Sequence, residues 1–255
     1  MQPDLGKFLV GTIVERRDVT SDLWTIRLEL SEPFIFRSGQ YATIGVLNNG
    51  KMVERAYSIV SSPIEPQLEF FVELVPEGKL TPLLFKLRVG DSVYVRKGSH
   101  GQMLFDDQSG HKTHVMLCTV TGVAPFVSMV RSFQFQEKEG GVIPWKLFLL
   151  EGASRSWELT YDHELRTAEE KHPWFRYIPS VSRPHDDPDW RGEQGRVHTR
   201  LLHYLDHFSC NADDTTVYLC GHPGMIEEGK RLLLDSGFDT KQIREERYWI
   251  ERPPK

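Results

Sequence analysis

Arg55-Ala56-Tyr57-Ser58 sets a guanidinium, a flat phenol and a hydroxyl within four residues. On an extended strand, residues 55 and 57 share one face and Ala56 and Ser58 the other. Such a set can grip a phosphate, stack on a planar ring and hydrogen-bond a ring nitrogen. Downstream, Gly78-Lys79-Leu80-Thr81 runs into the helix-like stretch Pro82–Leu87. A glycine turn, a capping threonine and open helix N–H groups there suit a second phosphate contact. Thr121 and Gly122 follow an apolar run, and Pro125 is placed to start a helix. That turn aims backbone donors at the carboxyl edge of a sheet, where α/β proteins bind nucleotides. Cys220-Gly221-His222-Pro223 has the same strand-to-helix character, so its thiol could touch a nicotinamide bound at that edge. Ser154-Arg155, Ser182-Arg183, Arg191 and Gly195-Arg196 bring arginines to successive strand ends. This is the chemistry of an extra phosphate monoester, which separates NADP from NAD. Each motif taken singly also fits a plain role: a capped helix, an inert buried thiol or a solvated loop charge.

Other combinations lead nowhere. His203 and His207 are spaced for one helix face but lack a third metal ligand, and Asp186, Asp187 and Asp189 are interrupted by Pro188. Cys118, Cys210 and Cys220 are too few and too scattered for a zinc knuckle, an iron–sulfur cluster or a disulfide framework. The sequence has no GxSxG elbow, Walker loop or Cys-x-x-Cys pair, so hydrolase, ATPase and dithiol chemistries lack their signatures.

Two kinds of element must position these residues. The first hundred residues show short period-two runs, such as Trp24, Ile26, Leu28 and Leu30, separated by turns including Asn48-Asn49-Gly50 and Gly90-Asp91. Runs at 12–16, 24–30, 41–46, 55–60, 68–75 and 92–96 predict a small antiparallel barrel or sandwich. Beyond residue 110, compact apolar strands at 115–118, 146–150, 176–181 and 216–220 alternate with helix-like segments at 125–133, 157–170, 197–205 and 225–234. That alternation predicts a parallel sheet. The polar stretch Asp106–Lys112 separates the halves, giving domains 1–107 and 108–255, and the loop His185–Gln194 reads as solvated. A length of 255 residues, 26% charged, with a net charge of −5, describes an ordinary soluble two-domain chain. The acidic excess points away from nucleic acid and anionic membranes, and neither a signal peptide nor a membrane span is legible, so a cytoplasmic site is expected.

Taken in order, Arg55–Ser58, Gly78–Thr81, Thr121–Pro125, Cys220–Pro223 and the C-terminal Tyr248-Trp249-Ile250-Glu251-Arg252 resemble the ferredoxin–NADP(+) reductase family, its bacterial branch above all. The resemblance implies an N-terminal six-stranded antiparallel FAD-binding barrel and a C-terminal NADP-binding α/β domain with a five-stranded parallel sheet. It implies that Arg55 binds FAD phosphate, Tyr57 stacks on the isoalloxazine and Ser58 reaches flavin N5. Ala56, Glu73, Val75, Lys79, Leu80 and Thr81 complete the flavin contacts. Thr121 and Gly122 meet the nicotinamide nucleotide, while Ser182, Arg183 and Arg196 take the 2′-phosphate. Ser58, Cys220 and Glu251 form the implied catalytic group, and no metal is expected. The implied reaction exchanges hydride between NADP(H) and FAD and single electrons with ferredoxin or flavodoxin, in a monomer. A non-catalytic flavin-binding subunit of a larger electron-transfer complex is the alternative. Arg16, Arg17, Lys51 and Lys97 are candidate cations for docking an acidic acceptor. Two departures stand out. Val120 occupies a place where relatives usually carry glycine, and Pro253 stands two residues after Glu251, where many relatives place a flavin-covering aromatic.

Overall fold

A computed structural model of the chain describes residues 5–248. Strands β1 (Phe8–Asp18), β2 (Leu23–Leu30), β3 (Tyr41–Asn48), β4 (Lys51–Ser58), β5 (Leu68–Glu73) and β6 (Ser92–Arg96) form an antiparallel sheet in the order β4-β3-β6-β1-β2-β5. An Ile59–Phe70 bridge brings its two edges together. The period-two pattern sends Trp24, Ile26, Leu28, Ile44, Phe70, Val93 and Val95 to one interior, where all are almost fully buried. Asn49 and Gly50 both have positive φ (48° and 74°), the two-residue hairpin turn that asparagine–glycine favours, and they set the β3–β4 register.

The helix expected at 82–87 is a single turn, α1 (Thr81–Leu84). Thr81 does not cap it. Its hydroxyl donates to the Val75 carbonyl (3.0 Å) and accepts from the Val75 N–H (3.0 Å), closing the 75–81 loop instead. The carbonyls after this turn are met by Arg16, whose Nη1 donates to Phe85 (2.9 Å) and Leu87 (2.7 Å). Arg16 is therefore an internal brace with a side chain only 5% exposed, not a docking cation.

The second sheet contains β7 (Thr113–Thr119), β8 (Lys146–Ala153), β9 (Phe175–Val181), β10 (Glu193–Gln194), β11 (Thr215–Gly221) and β12 (Ile243–Arg247). Their order is β10-β9-β8-β7-β11-β12, and every pairing is parallel. The sheet has six strands, one more than the resemblance implied, because the two-residue β10 adds itself at the edge. Neither β10 nor β12, which reads Ile-Arg-Glu-Glu-Arg, has an apolar run. Edge pairing to β9 and β11 makes them strands. Helices α2 (Ala124–Lys138), α3 (Asp162–Lys171), α4 (Leu201–His207) and α5 (Pro223–Asp235) cover the sheet, with separate apolar clusters on its two faces. The 185–194 loop is less solvated than its composition suggests. Asp187 is 5% exposed, and its carboxylate accepts from the Ser156 N–H at 2.7 Å.

Helix α2 also fastens the two halves together. Ser128 donates to the Ser61 carbonyl (2.7 Å), and Ser38 and Ser132 share a hydrogen bond of 2.6 Å. Arg131 reaches Glu69 of β5 (2.8 Å) while gripping Glu164 of α3 through two bonds of 2.7 and 2.9 Å. Arg27 (2.9 Å) and the Tyr161 hydroxyl (2.7 Å) complete the surroundings of Glu69.

A carboxyl lies inside the parallel sheet. Glu151 of β8 is fully buried; one oxygen accepts from the Tyr177 hydroxyl (2.7 Å) and the other has no hydrogen-bond partner. Burial above all, and the charge of Asp162, push its pKa up to about 8. The folded chain therefore keeps a proton there that the unfolded chain loses near the ordinary glutamate value. Its contribution to stability is fully present at acidic pH and is lost as pH rises through about 8. Glu151→Gln is expected to flatten the fall in melting temperature between acidic pH and pH 9; parallel curves for the two proteins would show that the carboxyl titrates alike in both states.

Candidate active site

The end of β4 meets the carboxyl edge of the parallel sheet, and chemistry-bearing side chains converge there. Ser58 is buried at the last position of β4, and its hydroxyl donates to Glu246 Oε1 (3.2 Å). Glu246 is set by β12, whose register places it opposite Cys220 of β11. Gly101 makes room for its carboxylate, since a Cβ there would stand 3.2 Å from Glu246 Oε2 and 3.0 Å from the Tyr41 ring. Just beyond β12, the Tyr248 hydroxyl donates to the Thr121 carbonyl (2.7 Å) and interacts with both Ser58 and Cys220. Thr121 and Gly122 are buried in a single 3₁₀ turn before α2, with Pro125 in its first turn as expected. A Cβ on Gly122 would lie 2.4 Å from the Cys220 carbonyl, so glycine is what lets the two strand-to-helix turns touch.

Val120 opens that turn at φ +44°, a left-handed conformation that is strained for a β-branched residue. Its side chain is partly buried against Ala153, Leu159 and Val181 on one side and the main cluster on the other. Packing thus holds the backbone path that glycine would follow without strain.

Burial sets the electrostatics. It raises the Glu246 carboxyl, an effect that the Ser58 hydrogen bond opposes, and it pushes the Cys220 thiol and the Tyr248 phenol well above their usual ranges. Cys220 is therefore a neutral thiol, not a thiolate nucleophile. On the barrel side Arg55 is exposed, donating to the Glu54 carbonyl (2.7 Å), Ala56 is exposed and Tyr57 is half-buried. Glu73, Val75 and Lys79 present exposed side chains, whereas Leu80 and Thr81 are buried. A side-chain role in gripping a ligand is thereby removed from Leu80, which fills the barrel core.

Ser182, Arg183 and Arg196 lie farther along the same edge, at the tips of β9 and β10. The guanidiniums of Arg183 and Arg196 are exposed, with no hydrogen-bond or ion-pair partner among the described residues. Glu251, Trp249 and Pro253 lie outside the described residues. The acid that sequence reasoning missed is Glu246. Its signal was present, because Glu246-Arg247-Tyr248 has the acid-then-aromatic spacing that the resemblance assigned to Glu251 and Pro253.

Residues 11–105 match the family model for an oxidoreductase FAD-binding domain, and residues 116–230 match that for an oxidoreductase NAD-binding domain. The chain is 32% identical over 241 residues to ferredoxin–NADP reductase A of Sorangium cellulosum, covering 89% of this chain and 83% of that one. It is 31% identical over 206 residues to a ferredoxin–NADP reductase of Pseudomonas aeruginosa, covering 78% of each. Among solved structures, a ferredoxin NADP+ reductase from Neisseria gonorrhoeae with bound FAD and NADP superposes with a TM-score of 0.84 at 26% identity, covering 94% of this chain and 98% of that one. With an antiparallel barrel, a parallel α/β domain and a polar site where they meet, this chain belongs to the ferredoxin–NADP reductase family.

Proposed function

We propose that this chain passes electrons between NADPH and a ferredoxin or flavodoxin, as a cytoplasmic monomer, with its chemistry centred on Ser58, Glu246 and Cys220. The observation that carries the reading is the Ser58–Glu246 hydrogen bond, formed across the domain boundary beside Cys220. FAD, when bound, supplies the redox chemistry, accepting two electrons as hydride and giving them up singly. The residues present suit that group: Arg55 offers charge to a phosphate, Tyr57 a flat ring and Ser58 a hydroxyl, on one stretch of strand.

A hydrogen that arrives as hydride must leave as a proton when electrons depart one at a time. Ser58 Oγ and Glu246 Oε1 are the two stations for that proton, and burial gives Glu246 the raised proton affinity the task needs. Cys220, kept neutral by burial, borders the nicotinamide position without placing charge there. Thr121 and Gly122 shape the turn against which the nicotinamide nucleotide lies, while Ser182, Arg183 and Arg196 hold the 2′-phosphate. A non-catalytic subunit would have no use for a carboxyl held against a hydroxyl in a partly dehydrated cleft.

The purified protein is expected to show a flavin absorption spectrum that anaerobic NADPH bleaches. A colourless protein, or a flavin indifferent to NADPH, would overturn this reading.

A further inference from the structure

The sheet order β10-β9-β8 puts the dipeptides Gly195-Arg196, Ser182-Arg183 and Ser154-Arg155 at three consecutive strand tips. Backbone bonds hold the tips together: Ser182 N–H to the Ala153 carbonyl (2.9 Å), Arg183 N–H to the Ser154 carbonyl (2.9 Å) and Gly195 N–H to the Val181 carbonyl (2.9 Å). The Ser180 hydroxyl adds a bond to the Gly195 carbonyl (2.7 Å). Three arginines on one crest make a strong site for a phosphate monoester. They are not equivalent, however. Arg183 and Arg196 have no side-chain partner among the described residues, whereas Arg155 Nη2 is 2.7 Å from Asp186 Oδ2. Asp186 stands in the loop directly after Ser182-Arg183, and the neighbouring Asp187 pins that loop to the Ser156 N–H at 2.7 Å. The carboxylate is thus built into the crest.

In dinucleotide-binding folds an acidic side chain near the ribose bonds the 2′-hydroxyl of NAD, whereas an arginine accepts the 2′-phosphate of NADP. This chain carries both. We propose that Asp186 is a coenzyme-specificity residue: it occupies Arg155 as an internal stand-in for the 2′-phosphate and so moderates the preference for NADP(H) over NAD(H). A 2′-phosphate entering the crest must then displace or face that negative charge, whereas a 2′-hydroxyl is neutral and can donate a hydrogen bond to it. The inference rests on the proposed 2′-phosphate site, and it can be tested without flavin or hydride transfer.

The probes are adenosine 2′,5′-bisphosphate and 5′-AMP, titrated calorimetrically into the purified protein. Asp186→Asn is expected to tighten the bisphosphate about tenfold at low salt and by less at high salt, because the charge removed lies close to the added phosphate and is partly screened. Binding of 5′-AMP should change less than twofold, and Asp186→Glu should keep the wild-type ratio. Equal changes for both nucleotides, no change, or weaker bisphosphate binding would each overturn the proposal, the last by showing that Asp186 positions Arg155 for the phosphate. Failure of the wild-type protein to bind the bisphosphate better than 5′-AMP would instead remove the 2′-phosphate site itself. Unaltered melting temperatures guard against a folding defect.

Discussion

Glu246→Gln is expected to lower the steady-state reduction of a one-electron acceptor by about a hundredfold, the scale typical of removing one positioned proton-transfer group. Stopped-flow reduction by NADPH should fall much less. Hydride carries its hydrogen with it, so the incoming step asks nothing of the carboxyl. The outgoing step must shed that hydrogen as a proton, and the proposed route is Ser58 Oγ, bonded to Glu246 Oε1 at 3.2 Å. Glutamine keeps the hydrogen bond and the shape but cannot take the proton. The same proton transfer carries a pH dependence. Burial raises the Glu246 carboxyl, and it must be ionised to act as acceptor, so the wild-type acceptor rate should climb as pH rises through that raised value. The acid limb should vanish in Glu246→Gln. Ser58→Ala should lose the acceptor rate in parallel, with FAD content measured separately for each variant. An unchanged acid limb in Glu246→Gln would assign the proton path to another group.

Arg131→Met should destabilise the protein by about 3–5 kcal/mol, because it strips the main cationic partner from a buried carboxylate. Glu69 has a side chain only 6% exposed, and Arg131, itself 13% exposed, bonds it from the other domain at 2.8 Å. Burial would raise this carboxyl, yet the charges and hydrogen bonds of Arg131, Tyr161 and Arg27 hold it below its ordinary range. Its contribution to stability is therefore present above the unfolded pKa and is lost as pH falls through the lowered folded value. Denaturant unfolding at neutral pH should show the full loss, and the gap between wild type and variant should narrow under acid. The double variant Glu69→Leu with Arg131→Met should recover much of the stability, since apolar replacement of a whole buried pair is often neutral. A single-variant cost near that of an exposed ion pair, about 1 kcal/mol or less, would show that the domains do not depend on this contact.

Local pattern alone determined a good deal of this protein. Alternating Trp24, Ile26, Leu28 and Leu30 specified a strand because one face must leave water, and Asn49-Gly50 specified the β3–β4 hairpin because both residues accept positive φ. Continuous apolar runs, such as Val115–Cys118 and Thr216–Cys220, specified strands buried on both faces. Ser58, Thr121-Gly122 and Cys220 were legible as strand-end and turn residues, and the structure places them at the end of β4, in the turn before α2 and near the end of β11.

Tertiary structure decided the rest. Strand β12, with four charged residues in five, has no strand pattern of its own and exists because β11 offers it a parallel edge. That pairing sets Glu246 opposite Cys220 and against Ser58, a partner 188 positions away in the chain. Thr81 looked like a helix cap because threonine before Pro-Leu-Leu satisfies the local rule, yet the 75–81 loop claimed its hydroxyl first. Arg16 looked like a surface charge until the carbonyl of Leu84, which ends α1, and those of Phe85 and Leu87 beyond it met its guanidinium. For Glu246 and Arg16 the deciding bonds span 188 and about 70 positions, which no local spacing encodes, while for Thr81 a partner six residues back outcompeted the helix end. Turns and buried strand faces follow from near neighbours, but the partners of Ser58 and Arg16 are chosen only when segments distant in the chain have packed together.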